Sequence, residues 1–361
     1  MPLVQKKYKI CLVSECLSTG GAERVAAILS DFFVSQNIET HHVIFIDSVE
    51  YSFSGSLLNL GKINGKVEKF KVFKKYIDDN KFDFIIDSRA KHNFLQEWII
   101  ARFIFKSPTI YTIHNFMIDL YFSKYKFLAK STHKKAYGIV TITNQINELV
   151  YEKYGFDNLR IIHNPITIEE IQKKSNESIE DNYDFIVCAG RMNDDIKQFD
   201  KLILAYASSI LPKKNIKLLL LGEGSKKLEL QELAKSLNLE NQVVFKGQVS
   251  NPFAYFSKAK YLVLSSKFEG LPMVILEALA CKTPVIAFDC PSGPSEIIIN
   301  KKNGLLIENQ NFEKLGEGMN EMIENPSLYE VCKNNSLISI QNFSVENIGK
   351  QWLDYLKINV S

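Results

Sequence analysis

The sequence predicts an α/β protein of two domains, each Rossmann-like, with a mostly parallel β-sheet covered by helices on both faces. Three observations carry that expectation. The chain has 361 residues and 46% hydrophobic content, enough for two ordinary cores. Short apolar runs rich in β-branched and aromatic residues alternate with amphipathic helical stretches. Near the middle, residues 167–183 (TIEEIQKKSNESIEDNY) are polar and charged and read as an inter-domain linker, after which Asp184 begins a second α/β run. The domains expected are residues 1–165 and 166–343, followed by a terminal segment, 344–361.

Composition narrows the function classes. No stretch of 18 apolar residues occurs, and the lysines near the N-terminus lead directly into a strand-like run rather than a leader's apolar region, so a cytoplasmic protein is expected. The six cysteines form no C-x-x-C pair, and Cys11 and Cys188 sit inside apolar strands, so they read as reduced core residues and imply no structural metal. Net charge is +3, divided as +6 over residues 1–165 and −3 over the rest. The basic first half fits an anionic acceptor or membrane face, or simply a lysine-rich surface. With an acidic second half, a nucleic-acid role has little support.

In chain order, strands are expected at 8–14, 42–46, 67–70, 82–87, 109–113, 138–142 and 160–163. After the first comes Gly20-Gly21, then a helix with Val25, Ile28, Leu29, Phe32 and Phe33 on its apolar face. The glycine pair lets backbone amides approach a phosphate or sugar, or else makes a tight turn; its spacing matches neither G-x-G-x-x-G nor the Walker loop. His114 ends the strand at 109–113, where ligands bind in such sheets. Residues 121–137 (YFSKYKFLAKSTHKKAY) interleave aromatics with Lys124, Lys126, Lys130, Lys134 and Lys135. This is either an interfacial helix, or an ordinary one packing Tyr121, Phe122, Tyr125 and Leu128 inward.

In the second half, strands are expected at 185–189, 218–221, 243–246, 261–264 and 284–288. The first delivers Gly190-Arg191 to a strand end, with Lys197 ahead of a helix carrying Phe199, Leu202, Ile203 and Tyr206. Arg191 and Lys197 could converge on a diphosphate, Arg as a fork and Lys as a point charge. Gly222 and Gly224 flank the next strand-end turn, and a rigid loop at 289–296 opens another helix. Residues 267–280 (KFEGLPMVILEALA) read as a loop with Glu269, Gly270 and Leu271, then a helix with Pro272 at its first position and Glu277 among apolar neighbours. A helix N-terminus favours an anion, and flanking carboxylates accept hydrogen bonds from hydroxyls. Phosphate plus polyol describes a sugar nucleotide.

Glu269-x7-Glu277 within FEGLPMVILEALACKTPVIAFD resembles the donor-site signature of family-4 retaining glycosyltransferases, enzymes of the two-domain GT-B fold, and the resemblance covers nearly the whole chain. It implies two Rossmann-like domains facing each other across a cleft, with the terminal helix (345–358) returning to the first. It further implies catalytic roles for His114, Arg191, Lys197 and Glu269. Donor contacts would come from Gly20, Gly21, Gly190, Gly222, Gly224, Gly270, Leu271, Pro272 and Glu277. Arg191, Lys197 and the amides after Glu269 would steady the leaving diphosphate without a metal. The nucleotide sugar, first of all a UDP-sugar, would be a co-substrate, with no other cofactor. A glycan or polyprenyl-linked oligosaccharide would be the acceptor, reached by peripheral contact with the anionic inner membrane. Gln198 departs from the family pattern, which has glycine there, and the Arg191-to-Lys197 interval is one residue longer. A sugar-nucleotide 2-epimerase and a catalytically silent sugar-nucleotide-binding subunit share the architecture and remain as alternatives.

Overall fold

The computed structural model describes residues 7–18, 20–91 and 93–359. The first six residues, which belong to the N-terminal stretch read above as lacking a leader, lie outside the described residues. The chain falls into two compact units, one taking the described parts of Met1–Ile166 and Val345–Ser361, the other Thr167–Ser344.

The first unit is a seven-stranded sheet formed by β1 (Lys9–Ser14), β2 (Glu39–Ile44), β3 (Ser56–Asn59), β4 (Phe84–Asp87), β5 (Thr109–Ile113), β6 (Ala136–Thr141) and β7 (Leu159–Ile161). Its order is β3-β2-β1-β4-β5-β6-β7 and its pairings are parallel. The second unit has six strands: β8 (Phe185–Ala189), β9 (Lys217–Leu221), β10 (Val243–Gly247), β11 (Leu262–Leu264), β12 (Val285–Phe288) and β13 (Gly304–Ile307). They run β10-β9-β8-β11-β12-β13, again parallel. Central strands such as FIVCA and VIAF are apolar without alternation because helices cover both faces of a parallel sheet. Each sheet reverses its winding once, between β1 and β4 and between β8 and β11, and crevices open at the carboxyl ends of such pairs. The doubly wound α/β class expected from the alternation is thus what the chain forms.

The terminal helix Val345–Leu356 buries Ile348, Trp352, Leu353 and Leu356 with residues of β1, β4 and helix Gly21–Ser35 in one core. Gly349 allows the close crossing of these helices: a Cβ there would meet the Phe32 ring at 2.4 Å.

Several local expectations need correction. Residues 67–70 are not a strand but the start of helix Lys66–Asn80, whose inward stripe is Phe73 and Ile77. Over four residues, V-E-K-F does not reveal that 3.6-residue period. The edge strand β3 went unrecognised because it is short and half exposed. The stretch read as a linker contains helix Ile168–Ser175, which buries Ile171 and docks through bonds from Asn251 to Lys174 O (2.9 Å) and from Ser257 to Ser175 O (2.8 Å). Its single buried apolar position left no sequence pattern. Pro272 caps helix Met273–Ala280 instead of occupying its first turn. Residues 121–137 divide: Tyr121 and Phe122 are buried, while Tyr125 (66%) and Phe127 (70%) are exposed at the start of helix Lys126–His133. Tyr125 therefore does not pack inward. All six cysteines are free and buried, and among the described residues no helix is long and apolar enough to cross a membrane.

Two predictions arise here. Gly349→Ala should gain about 1 kcal/mol of helix propensity but incur about 1–3 kcal/mol of overpacking against Phe32. The expected result is a lower melting temperature, recovered when Phe32→Leu is added; a rise in the single variant would refute the tight crossing. The second concerns acid. Desolvation holds His42 and His114 near pKa 4 and His133 near 3, all in the first unit. Each is neutral when folded and takes up a proton on unfolding below the ordinary value of 6.5. Their contribution is therefore complete above about pH 6.5 and is lost as pH falls toward 4, on the order of 3 kcal/mol per group. A melting temperature flat between pH 6.5 and 5 would contradict this.

Candidate functional site

The reversal point of the second sheet gathers most of the sequence-predicted residues. β8 ends in Gly190-Arg191 and β11 ends in Ser265-Ser266, and the two loops are laced together. Ser265 Oγ donates to Lys197 O (2.8 Å) and Lys267 N–H to Ile196 O (2.8 Å). Across this seam the Lys197 ammonium lies 2.6 Å from Glu269 Oε1, with both side chains largely covered. Ser266 Oγ donates to the same oxygen at 2.5 Å. A charged pair with a hydroxyl on its acceptor is held in one geometry, because largely covered charges that lose partners are costly.

The glycines shape this seam. Gly222 has φ +130°, and a Cβ there would lie 2.1 Å from Gly190 O; at Gly224 it would lie 2.2 Å from the Met192 carbonyl carbon. The β8 and β9 ends are thereby drawn together, with Gly190 N–H donating to Leu221 O and Met192 N–H to Glu223 O, both at 2.9 Å. The Lys197 stem packs over Gly190, where a Cβ would be 3.2 Å from its carbons. Gln198 stands where the family pattern has glycine and adopts φ +51°, a left-handed backbone that glycine takes freely.

On the other side, Glu269 N–H donates to Pro291 O (2.8 Å), so any amide offered to a ligand comes from Gly270 onward. Gly270, Leu271 and Pro272 pack against Gly293 just ahead of helix Met273–Ala280. Glu277 lies one turn into that helix and is 7% exposed. Arg191 is exposed on the β8 loop.

The remaining predicted residues belong to the first unit. Gly20, at φ +142°, caps helix Gly21–Ser35 with Gly21 as its first residue; Thr19 of this loop lies outside the described residues. His114, after β5, turns inward, its Nε2 2.9 Å from Thr112 Oγ1, and it borders a small, mostly apolar hollow with Ser88, Asn164 and Trp352. Burial pushes its pKa down to about 4, against an opposing contact from Asn164. At the β4 end, Arg89 forks onto Asp87 (2.9 Å to each oxygen) and reaches Glu97 at 3.1 Å, all three buried. Burial alone would raise the Asp87 carboxyl, but Arg89 and Lys91 outweigh it and hold it below the usual range.

Sequence reasoning missed Ser265 and Ser266, whose signal was a small polar pair closing an apolar strand, and Asp87-Ser88-Arg89 in the corresponding place of the first sheet. Among the described residues no three His, Cys, Asp or Glu side chains converge as a metal site.

This arrangement agrees with known proteins. A curated relative from Campylobacter jejuni, N-acetylgalactosamine-N,N'-diacetylbacillosaminyl-diphospho-undecaprenol 4-alpha-N-acetylgalactosaminyltransferase, is 29% identical over 94% of this chain and 97% of its own length. The amylovoran biosynthesis glycosyltransferase AmsD of Erwinia amylovora is 22% identical over 97% of this chain and 99% of its own. In fold, the chain matches Anabaena HepE in complex with UDP, with TM-score 0.77, 19% identity and coverage of 97% of this chain and 99% of that one. The family model for glycosyltransferase family 4 matches residues 19–170, and that for glycosyl transferases group 1 matches residues 168–337. With one model on each half and the two together spanning residues 19–337, the chain belongs to these glycosyltransferases.

Proposed function

We propose that this glycosyltransferase moves a hexose or N-acetylhexosamine from a nucleotide sugar, first of all a UDP-sugar, to a glycan or lipid-linked oligosaccharide, with retention of configuration and without a metal. The observation that carries the reading is the Lys197–Glu269 pair at 2.6 Å, ahead of the N-terminus of helix Met273–Ala280. As the glycosidic bond breaks, negative charge builds on the departing diphosphate. Lys197, released from Glu269 when the donor binds, would meet that charge together with Arg191 and the amides from Gly270 onward, an electrostatic arrangement completed before the bond breaks. Glu269 would then accept from the sugar hydroxyls, with Ser266 holding its other contact, and Glu277 from the ribose. The acceptor class follows the undecaprenol-linked substrate in the name of the Campylobacter relative, and UDP follows the complex of HepE.

The exposed Tyr125 and Phe127 beside Lys124, Lys126 and Lys130 support peripheral contact with the anionic cytoplasmic face of a membrane.

Lys197→Ala and Arg191→Ala should each lower kcat/KM by on the order of 3 kcal/mol; the melting temperature should stay near that of the parent in Arg191→Ala, whose side chain is exposed, and fall in Lys197→Ala, which leaves Glu269 without its partner. The measurement is nucleoside diphosphate release across a donor panel, with and without membrane lipid extract. Near-parental turnover of Lys197→Ala would place the phosphate contact elsewhere, and conversion of the donor without any acceptor would favour an epimerase. Excess EDTA should leave turnover largely intact; complete loss restored by a divalent cation would sink the metal-free reading.

A further inference from the structure

We propose that the first unit carries a discrete binding site for the phosphate group of an anionic phospholipid, separate from the sugar-transfer site, formed by Arg102, Lys106 and Lys135. The proposal rests on the membrane reading above and makes it specific.

These three cations line an open hollow of about 460 Å³, together with Thr132, Ser107, Phe105 and Tyr111. It lies where β5 and β6 begin, at Thr109 and Ala136. His114 follows the opposite end of β5, roughly 16 Å of extended chain away, so the hollow belongs to the other rim of the sheet. No carboxylate lines it. Lys106 is partly neutralised by Asp78 at 2.8 Å, whereas Arg102, 5.8 Å from the centre of the Trp98 ring, faces no carboxylate. Its Nη2 reaches only Ser131 O at 3.4 Å, and its Nε is buried without an acceptor. A guanidinium lining the hollow with one long hydrogen bond has donor capacity to spare, and phosphate oxygens would take it up as charge-assisted hydrogen bonds.

The surroundings point to a lipid rather than a free anion. Next to Arg102, Phe103 is 56% exposed, and the neighbouring helix exposes Tyr125 and Phe127. The two segments are tied by the Trp98 Nε1 bond to Ser131 Oγ (3.2 Å). Residues 88–137 hold nine Lys and Arg against two carboxylates, and both carboxylates are already engaged, Glu97 by Arg89 and Asp119 by Lys153. Cations lining the hollow, with exposed aromatics on the same two chain segments, complement a phosphodiester headgroup and its first carbons.

The test titrates the full chain with dihexanoyl phosphatidylglycerol below its micellar concentration, with dihexanoyl phosphatidylcholine and inorganic phosphate as separate arms, followed by calorimetry. Saturable one-to-one binding of the anionic lipid is expected, about fivefold weaker in Lys135→Gln and more than tenfold weaker in Arg102→Gln. Lys124→Gln, outside the hollow, should change it by less than about twofold. Lys135 is exposed, so its variant gives a result even if Arg102→Gln fails to fold. Absence of saturation, equal binding of phosphatidylcholine, or equal weakening by Lys124→Gln would overturn the site. Inorganic phosphate binding as tightly as the lipid would overturn the lipid assignment. Sedimentation with phosphatidylglycerol vesicles separates the two layers of the argument. Vesicle binding indifferent to Arg102→Gln and Lys135→Gln removes the hollow but keeps the membrane face, and no sedimentation at low salt removes the membrane reading itself.

Discussion

The ion pair between Lys197 and Glu269 is the interaction around which the second unit is arranged. It joins the loop that leaves β8 to the loop that leaves β11, the two strands between which the sheet reverses its winding. A charge pair this well covered is stable only when its geometry is held and its remaining valences are satisfied. The surrounding residues serve that requirement. Ser266 supplies a second donor to Glu269, Ser265 fixes the Lys197 backbone, and Gly190 leaves room for the lysine stem. Gly222 and Gly224 in turn let the neighbouring strand end close beneath. On the function proposed above, a diphosphate would be a stronger partner for the ammonium than one carboxylate, and the contact that neutralises the site before binding would give way to the departing anion.

The first unit handles polarity differently. Its switch-point charges, Asp87, Arg89 and Glu97, are consumed by one another, and His42, His114 and His133 are kept neutral by desolvation. The hollow beside His114 is correspondingly apolar below and only lightly polar above. Free positive charge is instead displaced to the surface around helix Lys126–His133 and the segment that carries Arg102. The excess of Lys and Arg over Asp and Glu in residues 1–165 is thereby carried at the surface of the first unit.

Much of this was legible in the sequence, for identifiable reasons. Parallel strands buried on both faces are continuous apolar runs, so β8, β9 and β12 stand out, and the 3.6-residue stripe of Phe199, Leu202, Ile203 and Tyr206 marks its helix without any neighbour in view. Glu269 and Glu277 were conspicuous because carboxylates beside an apolar helix need a reason to be there. Elements with one buried contact each, such as helix Ile168–Ser175 and strand β3, were not legible, because their stability comes from partners distant in sequence rather than from a local pattern.

By itself, then, the sequence determined the two parallel-sheet halves, the carboxyl strand ends that such sheets offer to ligands, and the residue types available there, since all of these are written in periodicities and spacings of a few residues. Only the tertiary structure decided that Lys197 reaches Glu269 across 72 positions of chain, that His114 turns inward onto Thr112, and that Tyr125 faces solvent while Tyr121 does not. The physical reason is the same in each case. A side chain's partner and burial depend on which distant segments the sheet order brings beside it, and sheet order follows from the total free energy of packing, to which no single stretch holds the key.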